Sequence, residues 1–229
     1  MAEKETAARK PAAIRVCLDV NVWIAHLLAI QNSRGGGSAS GLVRIVRDMT
    51  SAAGPVQLVM SWEMLGTLEG VLARLEFDPQ SISDNTAALI GIMKAGPLRF
   101  DPYLLPEGGR SLPMKDIEDA GVLASAIAAR VDLLITDNLD DFAIKDAERV
   151  ATQSVRRRGG SRRQLYALIF ERSDGVSLVI AHPIDEIEWL GGEMRPAADA
   201  VRKRYAPAAS GTDTPDLGSS ANRAGAGRE

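Results

Sequence analysis

From Ala13 onward, short apolar runs alternate with longer stretches whose apolar positions recur every three or four residues. Ala13 to Leu18 is such a run, bounded by Pro11 and Asp19, and it suits a strand buried on both faces of a parallel sheet. Val22 to Leu28 has helical spacing, and SRGGGSASG, Ser33 to Gly41, reads as a flexible loop. Leu42 to Met49 predicts a helix that buries Leu42, Val43, Ile45 and Val46. After a Gly54-Pro55 turn, Val56 to Met60 predicts a second buried strand, and Ser61 is a good N-cap for the helix after it. That helix carries Met64, Leu65, Leu68, Val71, Leu72 and Leu75 as one stripe. Ser83 to Met93 predicts another helix, Asp101 to Pro113 a Pro- and Gly-rich loop, Asp116 to Arg130 a strong helix, and DLLIT, Asp132 to Thr136, a strand. This alternation predicts an α/β fold around a mostly parallel sheet. Leu165 to Phe170 and Val176 to Ala181, around Ser173-Asp174-Gly175, predict a C-terminal β-hairpin, with Pro183 to Leu190 as a short closing helix.

Composition narrows the class. The chain is 45% hydrophobic and 25% charged, as in an ordinary globular protein. No apolar run approaches the roughly 20 residues that span a bilayer, so no membrane partner is expected. The opening MAEKETAARKPAA has no apolar core of a signal peptide. One cysteine, Cys17, and two distant histidines, His26 and His182, build neither a disulfide framework nor a zinc cluster. A reducing cytoplasm is the expected compartment. Net charge is −3 but uneven: Asp101 to Glu148 holds eleven acids against four bases, and Arg149 to Arg172 seven bases against one acid. On charge alone, two solvated faces explain this as well as a cation site beside a phosphate-binding surface does.

Ligand sites in open α/β sheets lie beyond the carboxyl ends of the strands. Three segments place acids there: Asp19 after the first strand, Asp116 and Asp119 at the start of the long helix, and Asp137, Asn138, Asp140 and Asp141 after DLLIT. Singly, each has a plainer role as a helix cap or polar turn. Together, converging carboxylates repel unless some protonate or a cation neutralises them. Oxygen donors without Cys or His favour Mg²⁺ or Mn²⁺.

The motifs LDVNVWI, SWEMLGTLEGVLAR, KDIEDAGVLASA and DLLITDNLDDF, in this order over about Ile14 to Phe142, closely resemble a PIN domain. The resemblance implies a three-layer α/β nuclease acting on RNA with Mg²⁺ or Mn²⁺, with a small antitoxin protein and a second copy of the chain as candidate partners. By position, Asp19, Asp119 and Asp141 match the metal-holding acids. Asn21 and Asn138 match polar site positions, and Asp137 is an added participant. The family's glutamate on the second-strand helix falls at Thr67. Glu63, one turn earlier on nearly the same face, is the expected substitute, and Glu69, about 200° away at 100° per residue, the weaker one. The expected organisation is a flexible N-terminus over 1–12, a nuclease domain over 13–148, a basic segment, hairpin and short helix packed on it over 149–192, and a disordered tail over 206–229.

Arg156, Arg157, Arg158, Arg162 and Arg163 crowd RRRGGSRR outside the matched motifs. They are expected to contact RNA phosphates through charge-assisted hydrogen bonds. Aromatic residues make up only 4%, which argues against a platform for stacking bases. Two rivals stand beside the nuclease reading. A haloacid-dehalogenase-type phosphatase fits poorly, because its D-x-D second acid is Asn21 here. A PIN-like module that binds RNA or protein without cutting is kept open by Thr67.

Overall fold

The structure, a computed structural model, describes residues 12–104, 114, 116–156, 160–171 and 175–206. The expected terminal segments (residues 1–11 and 207–229), most of the Pro-rich loop, Arg157, Arg158, and Ser173-Asp174 lie outside the described residues. Among the described residues, seven strands form one sheet in the order β2-β3-β1-β4-β7-β6-β5. These are β1 (Ile14–Leu18), β2 (Thr50–Ser51), β3 (Gly54–Leu58), β4 (Leu133–Ile135), β5 (Glu148–Arg156), β6 (Arg162–Glu171) and β7 (Ser177–Ala181).

Strands β3, β1, β4 and β7 run parallel, with Val16 opposite both Leu58 and Leu133, and Leu134 opposite Ile180. Their apolar runs are buried on both faces, because helices cover both. The helices are α1 (Val20–Gln31), α2 (Ser38–Asp48), α3 (Trp62–Arg74), α4 (Pro79–Ala95), α5 (Ile117–Ala128), α6 (Pro183–Gly191) and α7 (Ala198–Tyr205). α2 packs on α1, α6 and β3, α3 packs on α1 and α4, and α7 lies against β5 and β7. This is the expected three-layer α/β fold. The chain steps from β1 to β3 on one side and to β4 on the other, so the sheet's switch point lies between β1 and β4.

One expectation needs correction. Ser38 to Gly41 are not loop but the first turn of α2, which begins after Gly37 as N-cap. That turn is held in place: His26 Nδ1 lies 3.1 Å from Ser40 Oγ. A side chain at Gly41 would sit 2.8 Å from Ile187 of α6, so glycine here permits the close approach. The expected hairpin is present as the antiparallel pair β6–β7, and β7 also pairs with β4 and completes the parallel core. The basic segment after Arg149 is itself strand, β5, paired antiparallel with β6.

Candidate active site

Asp19 follows β1 and caps α1. Its Oδ1 accepts from the Val20 N–H at 2.7 Å. Its Oδ2 accepts from Asn21 Nδ2 at 2.7 Å and from the Thr136 hydroxyl at 2.8 Å. The side chain is only 6% exposed, so the carboxylate needs these donors to remain charged. Thr136, fully buried at the end of β4, is the hub. Its Oγ1 also accepts from Asn21 Nδ2 and from the Asn138 N–H, each at 3.0 Å. The Asp19 N–H donates to the Ile135 carbonyl at 2.9 Å, and the Thr136 N–H to the Ala181 carbonyl at 3.1 Å. The ends of β1, β4 and β7 are therefore tied at the switch point.

The turn after β4 closes the site. The Asp137 N–H donates to Asn21 Oδ1 at 3.4 Å, and the Asn138 side-chain amide donates to Asp141. Asp116 is exposed and caps α5 through the Glu118 N–H at 2.8 Å, so the plainer reading holds for it. Asp119 is half-buried one turn along. Burial, then the charges of Asp19, Asp116, Asp141 and Glu118, push its carboxyl up to about 7. Burial raises Asp19 most, and Asp137 and Asp141 add to the rise, while the Thr136 and Val20 hydrogen bonds oppose it. Asp19, Asp119 and Asp141 thus share one field that is short of positive charge. Glu63 is exposed in the first turn of α3, and Thr67 and Glu69 are half-buried farther along.

The donor set suits a hard cation: it is all oxygen and mutually repulsive. Among the described residues, however, no three His, Cys, Asp or Glu side chains gather closely enough to hold an ion. Cys17 is no alternative, being buried against Met64 with its thiol pushed far up by burial.

Sequence reasoning missed a second layer. His182, at the end of β7, places Nε2 3.1 Å from Asp137 Oδ1, while its Nδ1 accepts from the Ile184 N–H at 3.2 Å. With Nδ1 an acceptor, the ring proton sits on Nε2 and is donated to Asp137. Burial lowers the His182 pKa most, the charge of Asp137 opposes it, and the charge of Arg163 lowers it further. On β6, Tyr166 donates to Asp140, and the Arg149 guanidinium lies 3.9 Å from the Tyr166 ring centroid. Arg156 and Arg162 face each other across the β5–β6 ladder, where the Arg162 Nε donates to Ser154 Oγ at 3.1 Å. A histidine after an apolar run and before a proline was the signal for His182, but only the parallel β4–β7 pairing gives it meaning.

No curated protein and no solved structure matches the chain. Among the described residues, no helix is long and apolar enough to cross a membrane. The PIN domain family matches residues 15–140, from β1 through the turn that carries Asn138 and Asp140. That span is more than half of the 229 residues and holds the switch point with Asp19 and Asp119, ending one residue before Asp141, so the chain belongs to the PIN domain family, a family of nuclease-type folds.

Proposed function

We propose that this chain is an endoribonuclease that hydrolyses RNA phosphodiester bonds with Mg²⁺ or Mn²⁺ held by Asp19, Asp119 and Asp141. The observation that carries the reading is the shared, uncompensated negative field of these three acids at the switch point of a PIN fold. When bound, the ion supplies neutralisation of these acids and activation of a water for attack on phosphorus. Asn21 and Thr136 orient the Asp19 carboxylate through their hydrogen bonds. Asn138 orients Asp141, and His182 holds Asp137. Arg156, Arg157, Arg158, Arg162 and Arg163 draw the polyanion toward an acidic site that would otherwise repel it. The products carry 5′-phosphate and 3′-hydroxyl ends. A cytoplasmic toxin restrained by a small antitoxin, and self-association of the chain, complete this reading.

The test is cleavage of a single-stranded RNA at matched Mg²⁺. Asp19→Asn keeps shape and hydrogen-bonding size but removes charge. It should stay folded and lose roughly a hundredfold or more in rate, the scale of losing one electrostatic catalytic group. Full cleavage by the Asp19→Asn protein sinks the assignment. A second reading, an RNA-binding module that does not cut, is favoured by Thr67 at the family's acid position and by the spread of the acids among the described residues. Wild-type protein that binds this RNA but leaves it intact in Mg²⁺ and in Mn²⁺ would establish it.

A further inference from the structure

On the far side of the switch point from the arginine strands, two aromatic rings stand in solvent at the same edge of the sheet. Trp62 opens α3, just beyond the carboxyl end of β3, and is 48% exposed. Tyr103 is 56% exposed, and the two ring centroids are 4.7 Å apart at a 30° tilt. Rings this large and this exposed forgo part of the burial that usually holds an aromatic side chain in a core. The other tryptophans, Trp23 and Trp189, are both buried.

The pair is also held in place. Ser61 caps α3 by accepting from the Met64 N–H at 3.2 Å, which sets the turn carrying Trp62. The Tyr103 N–H donates to Asp101 Oδ1 at 3.1 Å, and Lys94 pairs with the same carboxylate at 3.5 Å. Lys94 Nζ lies 5.6 Å from the Tyr103 ring centroid. Beneath them, fully buried Gln57 of β3 donates to the Leu58 and Met93 carbonyls at 2.8 and 2.9 Å, and accepts from the Leu98 N–H at 2.9 Å. A side chain at Gly96 would meet Gln57 at 2.5 Å, so glycine lets this clamp close. Gln57 therefore fixes the end of α4 and the chain that leads to Tyr103.

We propose that Trp62 and Tyr103, with Lys94 beside them, form a base-stacking subsite for single-stranded nucleic acid. Resting on the ribonuclease reading, the subsite takes a base of the strand whose phosphates meet the arginines on the opposite side of the acids. Flat aromatic faces beside a cation suit a base linked to a phosphate; aliphatic side chains would better suit an apolar peptide. Stacking needs no base-specific hydrogen bond, so the subsite tolerates any sequence. The low aromatic content is thus offset by where two of the rings stand.

The experiment uses the full chain carrying Asp19→Asn, an oligoadenylate of about ten nucleotides, a length within single-strand site sizes, and an abasic ribose-phosphate oligomer of the same length. Since Trp23 and Trp189 are buried, Trp62 reports the solvent-side tryptophan emission. Oligoadenylate should quench it saturably, and the abasic oligomer should not. Trp62→Leu should weaken oligoadenylate binding about 5- to 150-fold, while Trp62→Phe retains most of it. Neither change should alter the slope of affinity against salt, because no phosphate contact is lost. Unchanged affinity in Trp62→Leu, or equal quenching by the abasic oligomer, overturns the subsite even if the wild-type enzyme cuts RNA. Saturable, base-dependent quenching in a protein whose wild type cuts nothing upholds the subsite and rejects the nuclease. Quenching by a peptide but not by oligoadenylate also overturns it.

Discussion

At the scale of single residues, Asp119 sits on a conflict that pH can read. Its carboxyl in the fold is raised to about 7, against an ordinary value of about 3.9 in the unfolded chain. The folded state therefore holds this proton more tightly. Its contribution to stability is complete below about pH 4 and is lost as pH rises toward 7. Asp119→Asn should flatten that decline and stabilise the protein at pH 8. The side chain is only half-buried, so solvent screens part of the effect, which we expect to be on the order of 1 kcal/mol, or roughly 2–4 °C in Tm. Thermal melts of both proteins from pH 4 to 8 check this, and parallel curves would show that Asp119 is not strained. Mg²⁺ should raise the wild-type Tm at pH 8 more than it raises that of Asp119→Asn. Asp19 and Asp141 were legible as candidates from their places after β1 and β4, and Asp119 from its place in the first turn of a helix. Thr136 and His182 were not, because a threonine and a histidine at strand ends say nothing until β4 is known to lie between β1 and β7.

At the scale of elements, the β5–β6 ladder is built against its own charge. Arg156 lies directly opposite Arg162, and like charges at opposed positions destabilise a sheet by roughly 0.2–1 kcal/mol. Arg156→Thr should return about that much stability. It should also flatten the salt dependence of single-stranded RNA affinity by about 0.7 if Arg156 meets a phosphate. A gain in stability with an unchanged salt slope would mark Arg156 as surface only. Strand β5 was illegible in sequence for a physical reason. As an edge strand it is exposed or half-buried throughout, so ERVATQSVR lacks an apolar run and reads as charge. Its bulge between Ala151 and Ser154 has a use: Thr152 and Gln153 donate to buried Asp185 of α6 at 2.8 and 2.7 Å. Neighbouring Glu186 is fully buried without a hydrogen-bond partner among the described residues, and burial raises its carboxyl well above the usual range, with the charge of Asp185 adding to the rise. The central strands were legible because burial on both faces leaves an unbroken apolar run. Helix α7 was not, since ADAVRKRY buries only Ala198 and Val201.

At the scale of the whole molecule, the family match ends at residue 140, yet the parallel sheet does not. Strand β7 covers the edge of β4, and its Leu178, Val179, Ile180 and Ala181 are all buried. A fragment of residues 12–147 would leave that edge and its apolar neighbours bare. It should show no cooperative melt and should aggregate at micromolar concentration. A fragment that melts like the full chain would make the last three strands accessory. The same strand order sets a clock on synthesis. Every acid of the site is made before β7, but the edge of β4 away from β1 waits for Val179 to pair with Leu133. At about 5–20 residues per second, that wait is roughly 2–9 s on the ribosome. His182, which holds Asp137, emerges last of the residues tied to the site. A nascent chain therefore carries all its candidate acids before it has the strand and the histidine that tie down Thr136 and Asp137.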